Sequence, residues 1–272
     1  MNLVLNSSNV VSGSNNTRYR YTFNSPVEIK ENATLSISNI TMPYSWFNIT
    51  SVYRNNIVEI EWASGGTILY FLLHLKDGYY TVVDLNKLVQ YTCIENGLYL
   101  IDDLGNHVYY LTITYDPLFY AVRITGYSIP TSLPTGWTAP SNWVGFPIAP
   151  YTPRLLVNRR FGELIGFSQT VIGTITPYSV ISTQTPQGSV VNSIVVRSNL
   201  IDNDSGFPTD ILDTIPIDVP FGTNLNYSPK ELKVVKCASG TIQSFDIFFS
   251  DQNLNPMYIL DKNVCISLLL KN

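Results

Sequence analysis

Three consecutive stretches near the C terminus decide the fold: Thr241-Ile-Gln-Ser-Phe-Asp-Ile-Phe-Phe249, Asp251-Gln-Asn-Leu-Asn-Pro256 and Val264-Cys-Ile-Ser-Leu-Leu-Leu270. The first alternates apolar and polar residues and then runs apolar, which reads as a strand. The second is a cluster of turn formers, each able to bond its own backbone or fix φ. The third ends a run from Met257 and is unbroken, the mark of a strand covered on both faces and so central in its sheet. A central C-terminal strand needs neighbours from far away in sequence. The best candidate is Tyr19 to Phe23, where Tyr19, Tyr21 and Phe23 alternate with Arg20 and Thr22. Pairing of these two segments would close the chain as an all-β sandwich with Greek-key or jelly-roll topology.

Length and composition agree with that reading. The 272 residues suffice for one large all-β domain or for a domain with a sizeable insert. Charged residues are 13% of the chain, about half the usual share, and Asn, Ser, Thr, Gln and Tyr take their place. A polar, weakly charged, Tyr-rich surface suits burial against other protein better than life as a highly soluble monomer. The net charge of −4 and the lack of a long basic run argue against nucleic-acid binding, Arg159-Arg160 being an ordinary solvated pair. Cys93, Cys237 and Cys265 are odd in number and lie in apolar patterns, so they read as small buried hydrophobes rather than a disulfide framework. Met1 to Asn6 has neither the basic nor the apolar region of a secretory signal. No apolar run reaches the roughly 20 residues of a membrane helix, and no membrane binding is expected.

Along the chain, residues 1–16 are mostly Asn, Ser, Gly and Val and read as a flexible N-terminal arm, with the folded domain at 17–272. Ser25-Pro26 punctuates the first strand, and Ala33 to Met42 alternates again. Ile57 to Trp62 and Thr67 to Leu75 predict a hairpin across Ala63-Ser-Gly-Gly66. Thr81 and Asp84 form a capping box ahead of Leu85, Leu88, Val89 and Cys93 at helical spacing, with Gly97 as the stop, so one short α-helix is expected over about 81–96. Further strands follow at Leu98 to Ile101, His107 to Tyr115 and Leu118 to Thr125. Pro130 to Pro153 holds six prolines and excludes regular structure. Trp137, Trp143, Phe146 and Tyr151 in this loop are the candidate site residues, as subunit-interface or glycan-contact aromatics. Arg154 to Asn158 predicts a short strand, Phe161 to Phe167 a turn or helical plug, and Val190 to Ile201 a strong strand. Thr174 to Ser189 reads as a loop and Asp202 to Phe221 as a broken stretch with Pro208, Pro216 and Pro220.

Chemistry has little to build on. His74 and His107 are the only histidines, each inside an alternating strand and without a Cys or carboxylate at ligand spacing, so no metal or other cofactor is expected. Asp202-Asn-Asp-Ser-Gly206 resembles a calcium loop, but its Gly falls one position early and no Glu stands at position twelve; a hydrogen-bonded turn is the preferred reading, with a cation at Asp202 and Asp204 as the alternative. There is no Gly-x-Ser-x-Gly elbow, no flagged Cys–His pair and no phosphate loop, so no catalytic residue is assigned. Asp102, Asp103, Asp116 and Glu163 are carboxylates without a pattern that pairs them across a cleft.

Several segments, in order, resemble the penton (minor capsid) proteins of virophages and polinton-like double-stranded DNA viruses. They are Tyr19-Arg-Tyr-Thr-Phe23, Asp77-Gly-Tyr-Tyr-Thr-Val-Val-Asp-Leu-Asn86, Phe161-Gly-Glu-Leu-Ile-Gly-Phe167 after the Pro-rich loop, Ser193-Ile-Val-Val-Arg-Ser-Asn-Leu-Ile-Asp-Asn203, and the closing pair Phe245 to Leu270. The resemblance implies a single jelly roll with inserted β-rich elements, placed here at about 66–153. It implies a non-enzymatic capsid protein whose homopentamers close the fivefold vertices of an icosahedral shell, among double-jelly-roll major capsid proteins. It further implies a virion location, assembly inside the host cell, and a vertex spike or receptor as further partners. The alternative is a glycan- or receptor-binding β-sandwich, such as a viral fibre head or lectin-like module.

Overall fold

Alternation of period two governs both ends of this chain, and the ends decide how the strands close. The computed structural model describes residues 1–188, 191–203 and 208–272. Its first strands are β1 (Asn2–Leu5), β2 (Arg18–Ile29) and β3 (Thr34–Pro43). Then come β4 (Ile57–Ser64), β5 (Thr67–His74), helix α1 (Val82–Glu95), β6 (Tyr99–Ile101), β7 (His107–Tyr109), β8 (Leu111–Asp116) and β9 (Ala121–Gly126). They are followed by β10 (Arg154–Val157), helix α2 (Arg159–Ile165), β11 (Val171–Ile172) and β12 (Tyr178–Ile181). The chain ends with β13 (Ser193–Ser198), β14 (Ile211–Pro216), β15 (Asn224–Tyr227), β16 (Val235–Lys236), β17 (Gly240–Asp251) and β18 (Cys265–Lys271). It divides into two compact units, Met1–Trp46 with Val191–Asn272, and Phe47–Val190.

The first unit is a jelly roll. One sheet runs β1-β18-β3-β15, with β16 also on β3, and the other runs β14-β13-β17-β2. Leaving aside the two-residue β16, partners nest from the outside in: β1 with β18, β2 with β17, β3 with β15 and β13 with β14, all antiparallel. That is one long antiparallel ribbon, wound so that its successive pairs fall alternately in the two sheets. Leu3, Leu5, Leu35, Ile37, Ile40, Ile247, Phe249, Ile266, Leu268 and Leu270 are buried, and Tyr19 meets Phe249 edge-on with centroids 5.8 Å apart.

Several expectations are corrected here. Tyr19 to Phe23 does not lie beside the last strand; Tyr19 faces Ile247 and Tyr21 faces Phe245, in the other sheet. The place beside β18 is taken by residues read as a flexible arm. Leu3 pairs with Leu268 and Leu5 with Ile266, and the Met1 amino group donates to the Leu270 carbonyl at 2.6 Å. Two inward leucines suffice to hold a four-residue strand, and Asn- and Ser-rich flanks hide so short a signal. The unbroken apolar run of β18 is central, as expected, but only Ile266, Leu268 and Leu270 are buried while Ser267 and Leu269 are half-buried. Cys265 is exposed, whereas Cys93 and Cys237 are buried, and burial pushes the Cys93 thiol up to about 12. Ser25-Pro26 does not end the first strand; β2 continues through it. The register shifts opposite, between Ile242 and Ser244, and an edge strand tolerates proline at such a bulge.

A buried carboxylate ties β2 to β17. Asp246 is 2% exposed on its side chain and accepts from Arg20 Nε at 2.8 Å and Nη2 at 3.0 Å, and from Arg18 Nε at 2.8 Å. Burial pushes its carboxyl up, but the hydrogen bonds and charges of Arg20 and Arg18 outweigh this and hold it below the usual carboxylate range.

The second unit has sheets β11-β10-β4-β5, β12-β9-β8 and β6-β7 around a core that includes Val58, Ile60, Trp62, Val89, Cys93, Leu111, Ile124, Leu155 and Phe161. It is wider than 66–153, because β10 pairs with β4 on one side and β11 on the other, bringing strands from both flanks into one sheet. Thr81 accepts from the Asp84 amide at 3.2 Å and Asp84 accepts from the Thr81 amide at 3.0 Å, so the capping box forms. Gly97 follows the helix at φ +64, and a side chain there would meet the Asn142 carbonyl. A second helix stands where a turn or plug was expected, opened by Asn158 accepting from the Phe161 amide at 2.9 Å. Strand β12 lies in the stretch expected as a loop and β14 in the one expected to be broken.

Two outcomes follow. Leu5→Ala should lower unfolding stability by about 2–4 kcal/mol in chemical denaturation; a change within about 0.5 kcal/mol would mean a free arm. The Asp246 carboxyl is depressed on folding, so its contribution is complete above the unfolded value near about 3.9 and is lost as pH falls through the folded value. Asp246→Asn should therefore cost about 1–3 kcal/mol at neutral pH and flatten the fall of the denaturation midpoint below about pH 4.

Candidate functional site

Prolines remove backbone donors and fix φ, so residues 127–153 cannot form a ladder of their own. The loop is instead pinned at intervals to its own unit. The Ile129 amide donates to the Tyr151 carbonyl at 2.8 Å, and Ile101 and Thr138 exchange bonds of 2.9 Å. The Gly65 amide donates to the Phe146 carbonyl at 2.8 Å, and Ile148 donates to Gly65 at 3.2 Å. Asn142 Nδ2 reaches the Ile94 and Glu95 carbonyls at 3.2 and 3.1 Å, at the C-terminal end of α1 where carbonyls lack a full set of intrahelical donors.

All four candidate aromatics are half-buried against the core of this unit. Trp143 stands edge-on to Trp62 with centroids 6.1 Å apart, and 5.1 Å from Phe146. The indole N–H groups of Trp62 and Trp143 are buried and have no acceptor among the described residues. Trp137 packs on the same core. Tyr151 is tied by its hydroxyl to the buried Glu61, which also accepts from Arg154 Nε at 2.7 Å and Nη2 at 2.9 Å. Burial, then the Glu61 carboxylate, pushes the Tyr151 hydroxyl up to about 12. Trp143 and Phe146 therefore meet directly, while Tyr151 belongs to a separate ion-pair network.

The other candidates are dispersed. His107 lies 4.5 Å from the Tyr99 ring and its Nδ1 is 3.3 Å from the Tyr109 hydroxyl; His74 is exposed at the end of β5. No group of three or more His, Cys, Asp or Glu among the described residues is arranged to hold a metal. Asp204, Ser205 and Gly206 of the calcium-like stretch lie outside the described residues. Asp102 accepts from the Leu104 and Asn106 amides, at 3.0 and 2.7 Å, within its own turn. Asp116 pairs with Arg123 at 2.6 Å and Glu163 with Arg159 at 2.9 Å; Asp103 is exposed.

Two surfaces escaped the sequence reading. Strand β5, Thr67–His74, is an edge strand paired only with β4, and Ile68, Tyr70 and Leu72 on it are exposed, beside Ile57 of β4. It has no charge, proline or glycine, the devices that usually protect an edge. The apex of the β8–β9 hairpin carries a second exposed apolar group, Leu118 to Tyr120. The absence of charge over Thr67 to Leu75 was a signal available in the sequence.

The chain superposes on the mavirus penton protein, known from a crystal structure, with a TM-score of 0.48 and 10% sequence identity, covering 100% of this chain and 98% of that one. It also superposes on a chain of the Sputnik virophage structure solved by cryo-electron microscopy, with a TM-score of 0.38 and 11% identity, covering 93% and 91%. No family model and no curated protein matches it.

Packing of Trp143 can be separated from ligand contact by stability alone. Trp143→Ala should cost about 2–4 kcal/mol. Trp143→Phe, which removes an N–H without an acceptor, should cost less than about 1.5 kcal/mol. An indole held ready for a sugar or a partner would leave unfolding stability nearly unchanged in both variants.

Proposed function

We propose that the chain is a structural, non-enzymatic capsid protein whose homopentamers close the fivefold vertices of an icosahedral shell, among major capsid proteins. The observation that carries this reading is the nested strand order of the first unit, a single jelly roll, with a second β-rich unit inserted between its third and fourth strands. Jelly rolls serve mainly as capsid, lectin and cupin-type domains, and fold alone does not choose among them. The buried positions of this roll are largely apolar, and its buried Asp246 is consumed by two arginines, which supports a packed scaffold over a catalytic or metal-binding barrel. Trp137 and Trp143 each pack against the core of their own unit, which favours the capsid reading over glycan stacking.

A ring of five is built from heterologous contacts, in which one flank of a subunit fits a different flank of the next. The unprotected edge β5, with Ile57, Ile68, Tyr70 and Leu72, is the flank we assign to that contact. Its exposed aromatic and branched residues give area at low entropy cost. The sparse charge of the chain supports burial of such flanks, since unpaired charges there would cost desolvation.

Purified chain, alone or with its major capsid partner, should give particles near five times the 30.5 kDa chain mass by mass photometry and rings by negative-stain imaging. The double variant Tyr70→Lys, Leu72→Lys should shift these particles to single chains without lowering the melting temperature. A chain that stays monomeric with the partner present, and never co-purifies with particles, would count decisively against the capsid reading.

A further inference from the structure

The apex of the β8–β9 hairpin is a second apolar surface, and its shape differs from that of an interface flank. Leu118 is 88% exposed, Phe119 66%, Tyr120 63% and Tyr115 45%. Asp116 and Ala121 are the last paired positions of the ladder, so Leu118 and Phe119 crown the turn. Tyr115 and Tyr120 stand just behind them, ring edge to face with centroids 6.2 Å apart. We infer that this apex inserts into the interfacial layer of a zwitterionic lipid bilayer, Leu118 and Phe119 entering the acyl region and the two tyrosines resting among the headgroups.

Three features favour lipid over a protein socket. The first is area. Four side chains at a single turn offer far less than the roughly 1,200 Å² that a specific protein interface buries, so a protein socket would need further contacts around the tip, whereas a bilayer needs no complementary shape and takes up apolar surface as it is offered. The second is the backbone. Satisfied amides ease the removal of a chain from water, and here the Asp116 carboxylate accepts from the Leu118 amide at 3.2 Å within the turn. The third is charge. The ionised groups of the hairpin itself, Asp116 and Arg123, pair at 2.6 Å, so its insertion carries no unpaired charge and gains nothing from anionic lipid. Tyr at the boundary between apolar and wet layers is the usual placement of that side chain. No helix among the described residues is long and apolar enough to cross a membrane, and two residues at a turn reach only the interfacial layer.

The inference does not rest on the ring proposed above, although five copies would strengthen attachment by effective concentration. Full-length protein should float with phosphatidylcholine vesicles in a density gradient, with binding unchanged by added salt. Leu118→Asp with Phe119→Asp should reduce the bound fraction about tenfold or more while particle mass and circular dichroism stay as in the wild type. As a second measurement, Phe119→Trp should gain emission that brominated lipid quenches. Wild-type protein that does not float, flotation equal in the double variant, or binding that requires anionic lipid and vanishes in salt would each overturn the inference. A double variant whose particle mass falls, with no flotation of the wild type, would identify the apex as a subunit contact and overturn it too. Particle mass and flotation are read separately, so failure of the ring leaves the lipid result intact, and the reverse.

Discussion

The roll closes because β18 fits between β1 and β3. This strand has partners on both sides, and its Leu268 is matched by Leu3 on one side and Ile37 on the other. Without β1, the most apolar strand of the first unit would become an open edge, with the hazards that an unpaired ladder brings. Four N-terminal residues thus complete the sheet that the last strand centres. The pairing joins positions 2–5 to positions 266–269, nearly the full length of the chain. Contacts of that separation form slowly, because the loop must close before any contact rewards it. The N-terminal strands are made first and wait longest, and the mid-strand proline, bulge and arginines of β2 protect that exposed edge in the meantime.

The inserted unit sits where the ribbon can carry it. Strands β3 and β13 lie in different sheets, so the connection between them must cross from one sheet to the other in any case. A long flexible loop there would add only slowly to the entropy of closure. Here the connection is not flexible: it brings its own capped helix, its own sheets and its own core. The inserted residues therefore stabilise themselves and ask little of the roll. The same reasoning explains why the Pro-rich stretch can be long. Its amides and carbonyls are satisfied by Gly65, Ile101 and the end of α1 rather than by a ladder of its own.

What could be read from the residues follows the strength of each local signal. Helix α1 was legible because its capping box, apolar face and Gly97 all point the same way. The Gly65-Gly66 hairpin was legible for a similar reason. The jelly-roll class was legible from the closing strands, although β18 pairs with β1 and β3 rather than with Tyr19 to Phe23. Tyr19 to Phe23 has the stronger alternation, and pattern alone cannot say which of two sheets a strand joins. Strand β1 was hidden by length, and β12 and β14 by prolines at their flanks. The loop was legible as irregular and rich in aromatics, but not as packed within its own unit: the same Trp and Tyr residues suit a core, a partner or a sugar. The apex at Leu118 depends on where the turn places side chains, and composition is silent on that.

Charge shows how sequence, stability and surface are connected. Arg18 and Arg20 are committed to Asp246, Arg154 to Glu61, Arg123 to Asp116, Arg197 to Asp210 and Arg159 to Glu163. In a chain with only 13% charged residues, each pair so committed thins a charge that was already sparse and that would otherwise help to keep copies apart in solution. Asp246 and Glu61 are buried, so their partners cannot be withdrawn to serve elsewhere without leaving a carboxylate uncompensated. The remaining surface is carried by Asn, Ser, Thr and Tyr, which hydrogen-bond equally well to water or to another chain. Such a surface has a small desolvation cost when it is covered, and little repulsion resists the covering. The ring proposed above would draw on that balance wherever flank meets flank.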